Sequence, residues 1–137
     1  MEKYQLNDDI KIICNKAKTF PNGVMEAFTT LESSVPEMEK RTIYGISKLD
    51  EKRLIIYKAA VTELHDGEAE SLGFEAFTVR KGTYMTETIM DWQNNMQAFG
   101  PTFQKLLDNP KLDWDSPCVE WYKSDDEVMC MVRILEE

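Results

Sequence analysis

The chain has 137 residues, 42% hydrophobic and 30% charged, with a formal net charge of −9, which is the size and composition of one globular domain. It holds no low-complexity tract, no Gly/Ser linker and no apolar run long enough to span a bilayer, and its acidic balance argues against direct nucleic-acid binding. The N-terminal stretch MEKYQLNDDI lacks the basic-then-apolar order of a secretory signal, so the expected location is the cytoplasm. Cys14, Cys118 and Cys130 form an odd set without a CxxC pair, and they read as reduced, small strand hydrophobes ahead of reactive thiols.

In chain order, alternating stretches rich in β-branched and aromatic residues predict six strands, at 10–18, 41–48, 53–64, 74–90, 118–123 and 127–135. The long fourth strand is expected to bend at Gly82. Between the first two strands, Pro21 and a cap at Asn22 open a helix whose apolar stripe is Val24, Phe28, Leu31 and Val35, and SSVP closes it. A second helix from about Asn94 carries Met96, Phe99, Phe103, Leu106 and Leu107 until Asp108-Asn109-Pro110 stops it. Gly100-Pro101 lies inside that stripe and implies either a kink or a restart of the helix with Pro101 in its first turn. The order is β-α-β-β, an acidic connector HDGEAESLG at 65–73, and β-α-β-β again, with tight charged turns KLDEK and KSDDE in matching places. This predicts a single α+β domain over 1–137 with halves at about 1–66 and 74–137. The duplicated units would form a pseudo-twofold antiparallel sheet with both helices on one face and a central groove.

The sole histidine, His65, lies in the acidic connector without a second imidazole or a Cys pair near it, which removes zinc sites and Cys-His nucleophiles from consideration. RKGT and AFGP lack the flanking pattern of a phosphate loop or dinucleotide turn, so neither a cofactor nor a metal is expected. What stands out is an excess of aromatics and methionines in or beside the strands, including Tyr44, Tyr57, Tyr84, Trp92, Phe99, Trp121 and Tyr122. Such a set reads as core, or as an adaptable pocket for a flat apolar molecule. Within it, PCVEWYKSDD carries a carboxylate in a strand. Alternation puts Cys118, Glu120 and Tyr122 on one face, so Glu120 stands beside a phenol. Facing a cleft, it could anchor a cation or act as a general base; facing outward, it would be an ordinary solvated residue.

The doubled β-α-β-β order, VRKGTY and the ending SPCVEWYKSDDEVMCMVRI resemble the GyrI-like small-molecule-binding family, the bacterial transcription-activator effector-binding domain, in its stand-alone, integron-associated form. YGIS and the Tyr57, Ala59, Val61 order are looser points of likeness, and the resemblance spans essentially the whole chain. It implies a pseudo-twofold sheet with a central groove that takes amphipathic, often cationic or aromatic compounds. By position it implies ligand-binding roles for Glu120, Tyr122 and Tyr84. Tyr44 joins them because TIYG occupies in the first half the place that CVEW holds in the second, and Tyr57, Trp92 and Phe99 join as aromatics of the same set. Two other activities known in the family stay open: hydrolysis of reactive electrophiles through Glu120 and Tyr122, and a gyrase-inhibiting interaction. No basic helix-turn-helix precedes the domain, so DNA-binding regulation in cis is not expected. The expected partner is a small amphipathic or cationic ligand, without nucleic acid or membrane, and a homodimer is compatible with the sequence.

Overall fold

Alternation makes strands in this chain wherever backbone groups are left to the ladder, and strands stop where side chains take those groups instead. In the computed structural model, which describes residues 1–136, the strands are β1 (Glu2–Leu6), β2 (Ile10–Lys16), β3 (Ile43–Leu49), β4 (Ile55–Thr62), β5 (Glu75–Val79), β6 (Gly82–Met90), β7 (Cys118–Tyr122) and β8 (Glu127–Ile134). The helices are α1 (Val24–Ser34), α2 (Glu68–Leu72) and α3 (Phe99–Leu107). Strands pair antiparallel, which makes the fold α+β. Among the described residues no helix is long and apolar enough to cross a membrane. The chain forms two compact units, one from Ile10–Val79 and the other from Met1–Asp9 together with the segment from Arg80 onward.

In the Ile10–Val79 unit the strand order is β3-β4-β2-β5. Ile43, Val61 and Ile13 stand in one row across β3, β4 and β2. That row packs against Ala27, Leu31 and Val35, with Val24 and Phe28 at the border, so the predicted stripe of the first helix is its buried face. Asn22 does not cap α1. The N-cap position is Gly23, which has no side-chain cap, and a Cβ there would stand 2.7 Å from the Thr19 carbonyl oxygen. The acidic connector also folds further than predicted, because α2 forms inside it between left-handed Gly67 and Gly73. Its first residue, Glu68, takes a bidentate pair from the buried Arg41, with Nη1 at 2.7 Å and Nη2 at 2.5 Å.

In the other unit the order is β1-β6-β8-β7. β1, which alternation did not predict, pairs with β6 through Tyr4 and Tyr84. The long strand expected at 74–90 is two strands, and the reason lies in Lys81. Its N–H donates to Asp9 Oδ1 at 2.8 Å, and its carbonyl accepts Arg133 Nε at 3.1 Å and Nη2 at 3.0 Å, so neither group is left for a ladder. Gly82 then opens β6 at φ 142°, and a Cβ there would lie 2.9 Å from the Arg133 guanidinium. Single 3₁₀ turns at Trp92–Asn94 and Met96–Ala98 precede α3, whose first turn contains Pro101: the helix restarts rather than kinks. Leu106 of α3 packs with Ile89, Leu112, Val128, Cys130 and Val132.

Candidate functional site

Alternation along β7 places Cys118, Glu120 and Tyr122 on one face, and the register with β8 identifies that face. Glu120 lies opposite Cys130, which is part of the core beneath α3. Glu120 is therefore an inward carboxylate, only 8% exposed. Burial of a charge is costly without hydrogen bonds, and the Tyr122 hydroxyl supplies one by donating to Glu120 Oε1 at 2.6 Å. The Tyr122 ring meets Trp92 edge-on, with 5.0 Å between centroids and 70° between planes. Three hydrogen bonds tie the turn that carries Trp92 to the β7–β8 hairpin: Trp92 Nε1 to the Ser124 carbonyl at 3.2 Å, Gln93 Nε2 to the Asp125 carbonyl at 2.9 Å, and the Asp91 N–H to the Asp126 carbonyl at 2.6 Å. Phe99, at the start of α3, packs on the same cluster. The fold thus brings Glu120, Tyr122, Trp92 and Phe99 together.

Sequence reasoning missed Glu87. Cys130 sits opposite Glu87 on β6 as well as Glu120 on β7, so the three residues form one row across the sheet. Burial, then Glu120, Cys118 and Glu87, push the Cys130 thiol up to about 12, so it is an inert packing group between two carboxylates. A hydrogen bond from Lys105 at 2.7 Å holds the Glu87 carboxyl below the usual carboxylate range. The signal for Glu87 was a register across three strands, which alternation within one strand does not carry. Among the described residues no three His, Cys, Asp or Glu side chains are grouped as metal ligands would be.

The remaining predicted residues are Tyr84, Tyr44 and Tyr57. Tyr84 is buried on the opposite face of β6, where its hydroxyl donates to the Arg80 carbonyl at 2.6 Å, and burial pushes its phenol up to about 12. Tyr44 and Tyr57 belong to the Ile10–Val79 unit and are both buried. Tyr44 stands opposite Ala60, while Tyr57 stacks with Phe20 at 5.7 Å and meets Phe28 edge-on at 6.2 Å. Since the Tyr122 hydroxyl solvates an inward carboxylate, Tyr122→Phe is expected to lower unfolding stability by about 1–3 kcal/mol in a urea titration at neutral pH.

No family profile and no curated protein matches the chain. Solved structures do share its fold. An integron cassette protein from the mobile metagenome of Vibrio cholerae superposes with a TM-score of 0.74 at 12% identity, over 98% of this chain and 95% of that one. SAV2435 bound to tetraphenylphosphonium gives a TM-score of 0.65 at 12% identity, over 98% and 94% of the two chains. A hydrolase from Listeria innocua gives 0.53 at 7% identity, over 98% and 90%. Likeness at these identities establishes the fold alone.

Proposed function

We propose that this chain is a GyrI-like effector-binding protein that takes an amphipathic cationic or aromatic small molecule at the Glu120–Tyr122 pair. The observation that carries this is a carboxylate held inward by the Tyr122 phenol, whose ring meets Trp92 edge-on and packs, as Trp92 and Phe99 do, on the cluster that contains Leu106 and Val128. A desolvated carboxylate binds a delocalised cation far better than a solvated one, and the aromatic edges supply contact for the cation's apolar body. The structural neighbour bound to tetraphenylphosphonium supports this ligand class. The strand orders β3-β4-β2-β5 and β7-β8-β6-β1 run in parallel, which supports a duplicated unit. The groove implied by the family resemblance, with Tyr44 and Tyr57 as further ligand contacts, belongs to the same proposal.

The test is quenching of intrinsic tryptophan fluorescence by tetraphenylphosphonium. Saturable quenching is expected in the wild type, with affinity lowered about tenfold or more in Glu120→Gln and the Trp92 contribution absent in Trp92→Phe. Equal binding by wild type and Glu120→Gln, or none by either, would sink the assignment.

The Tyr122–Glu120 hydrogen bond also favours a second reading, hydrolysis of a reactive electrophile with Glu120 activating water and Tyr122 assisting. Glu87 shares the row but is engaged by Lys105, so it is not offered as a second acid–base group. Turnover that disappears in Glu120→Gln while binding persists would select this reading.

A further inference from the structure

We propose that the short turn Trp92–Asn94 is a gate that opens to admit a ligand to Glu120 and recloses behind it. This inference rests on the Glu120 site proposed above and names what controls entry to it.

Glu120 is 8% exposed, so a ligand reaches its carboxylate only if something beside it moves. Cys130, opposite it on β8, and Leu106 of α3, in the same cluster, are both 0% exposed, so neither gives way without opening the core. Along β7 the two ends differ. Cys118 follows a corner fixed by buried groups, where the Ser116 hydroxyl and the Asp115 N–H donate to Asp113, a side chain 6% exposed. At the other end stands Tyr122, half-buried, with the half-buried Trp92 ring against it.

The Trp92 turn is held lightly. None of its three residues is buried, and its shape comes from two 3₁₀ bonds, the Asn94 N–H to the Asp91 carbonyl at 3.1 Å and the Asn95 N–H to the Trp92 carbonyl at 3.0 Å. Its side chains reach the β7–β8 hairpin through Trp92 Nε1 to Ser124 and Gln93 Nε2 to Asp125, both at exposed positions where water can replace a broken bond. The turn is bounded by Asp91, in a left-handed conformation with φ 51° and ψ 46°, and by Asn95, at φ −132° and ψ 34°. Outside those two positions the chain is anchored again. The Asp91 N–H bonds to the Asp126 carbonyl, and Ala98 and Phe99 pack on the Leu106 cluster. The part that swings is therefore three residues between two hinge positions, carrying an indole. Its opening breaks exposed bonds, withdraws one half-buried ring and leaves the sheet and α3 in place. Withdrawal uncovers the Tyr122 ring and the carboxylate to which its hydroxyl donates.

Gln93→Ala tests this, because it removes one latch bond and keeps Glu120, Tyr122 and Trp92. In stopped-flow quenching by tetraphenylphosphonium, the wild-type rate should level off as ligand concentration rises, since opening precedes binding. Gln93→Ala should raise that plateau and the dissociation rate together by about threefold or more, and leave Kd within about twofold. In ligand-free ¹⁵N-labelled protein it should also speed hydrogen exchange of the Trp92 indole N–H by about threefold or more, without changing the Val128 and Cys130 amides, because the turn opens as one unit. Saturable quenching with rates unchanged in Gln93→Ala overturns the gate and leaves the Glu120 site standing. Unchanged indole exchange in the variant overturns the gate whether or not tetraphenylphosphonium binds. No quenching of the wild type removes the Glu120 site, and the gate with it.

Discussion

Replacing Arg41 with alanine is expected to cost about 3–5 kcal/mol of folding stability, a large part of the roughly 5–15 kcal/mol available to a domain of this kind. The side chain is 0% exposed and its partner Glu68 only 10%, so neither charge can fall back on water. Arg41 also donates from Nε to the Pro36 carbonyl and from Nη1 to the Thr62 carbonyl, each at 2.9 Å, while Glu68 Oε1 accepts the Leu64 N–H at 2.9 Å. One guanidinium thereby joins the approach to β3, the end of β4 and the start of α2. The hydrogen bonds from Arg41 dominate the shift that takes the Glu68 carboxyl from 4.5 down to about 2, with the Leu64 N–H adding to it against a desolvation penalty. A carboxyl lowered by folding stabilises fully above its unfolded value. This contribution, of order 3 kcal/mol, should therefore be whole at pH 7 and disappear as pH falls from about 4.5 through 2. Urea titrations at pH 7 and pH 3 should show a much smaller wild-type-to-Arg41→Ala difference at the lower pH. The double variant Arg41→Met/Glu68→Leu should recover most of the loss, because removing both charges leaves no buried ion unpaired. A loss below about 1 kcal/mol for Arg41→Ala would contradict a structural role for the pair.

Local pattern revealed what is local. The stripe through Leu31 and Val35, the stop at Pro110 and the neighbour relation of Glu120 and Tyr122 all follow from periods of 3.6 and 2, and the structure reproduces each. What alternation could not reveal depends on residues far apart in sequence. The division at Lys81 is made by Asp9, 72 residues earlier, and Arg133, 52 residues later. α2 depends on Arg41, 27 residues before its first residue. β1 escaped notice because it is a short edge strand in which only Tyr4 and Leu6 turn inward, so its charged residues dilute the pattern. Glu120 illustrates the boundary between the two kinds of information. Its neighbour was legible, but its direction became clear only from the pairing with Cys130.

Asp113→Asn is expected to destabilise the chain by about 3–4 kcal/mol, whereas Arg80→Gln should cost less than about 1 kcal/mol, although both remove the same ion pair. The difference follows from exposure. The Arg80 side chain is 53% exposed and can be rehydrated, while that of Asp113 is 6% exposed and receives four hydrogen bonds. Oδ2 accepts from Arg80, Arg133 and the Ser116 hydroxyl, and Oδ1 accepts the Asp115 N–H at 3.1 Å. Burial alone would raise this carboxyl, yet the bonds from Ser116, Asp115 and Arg133 and the charge of Arg80 outweigh it and hold the group below its usual range. Its contribution should accordingly be complete above the ordinary aspartate value and fall away below it. Asparagine keeps the shape but leaves two guanidiniums without a counter-ion. Arg133 would then lose the contact that orients it over Gly82, and the geometry that separates β5 from β6 would loosen with it. Thermal unfolding together with amide exchange at Lys81 and Gly82 checks this. Asp113→Asn should lower the melting temperature and speed exchange at both amides, and Arg80→Gln should do neither to a comparable degree. Equal losses from the two variants would mean that the half-exposed Arg80, rather than the buried carboxylate, sets the stability of this corner.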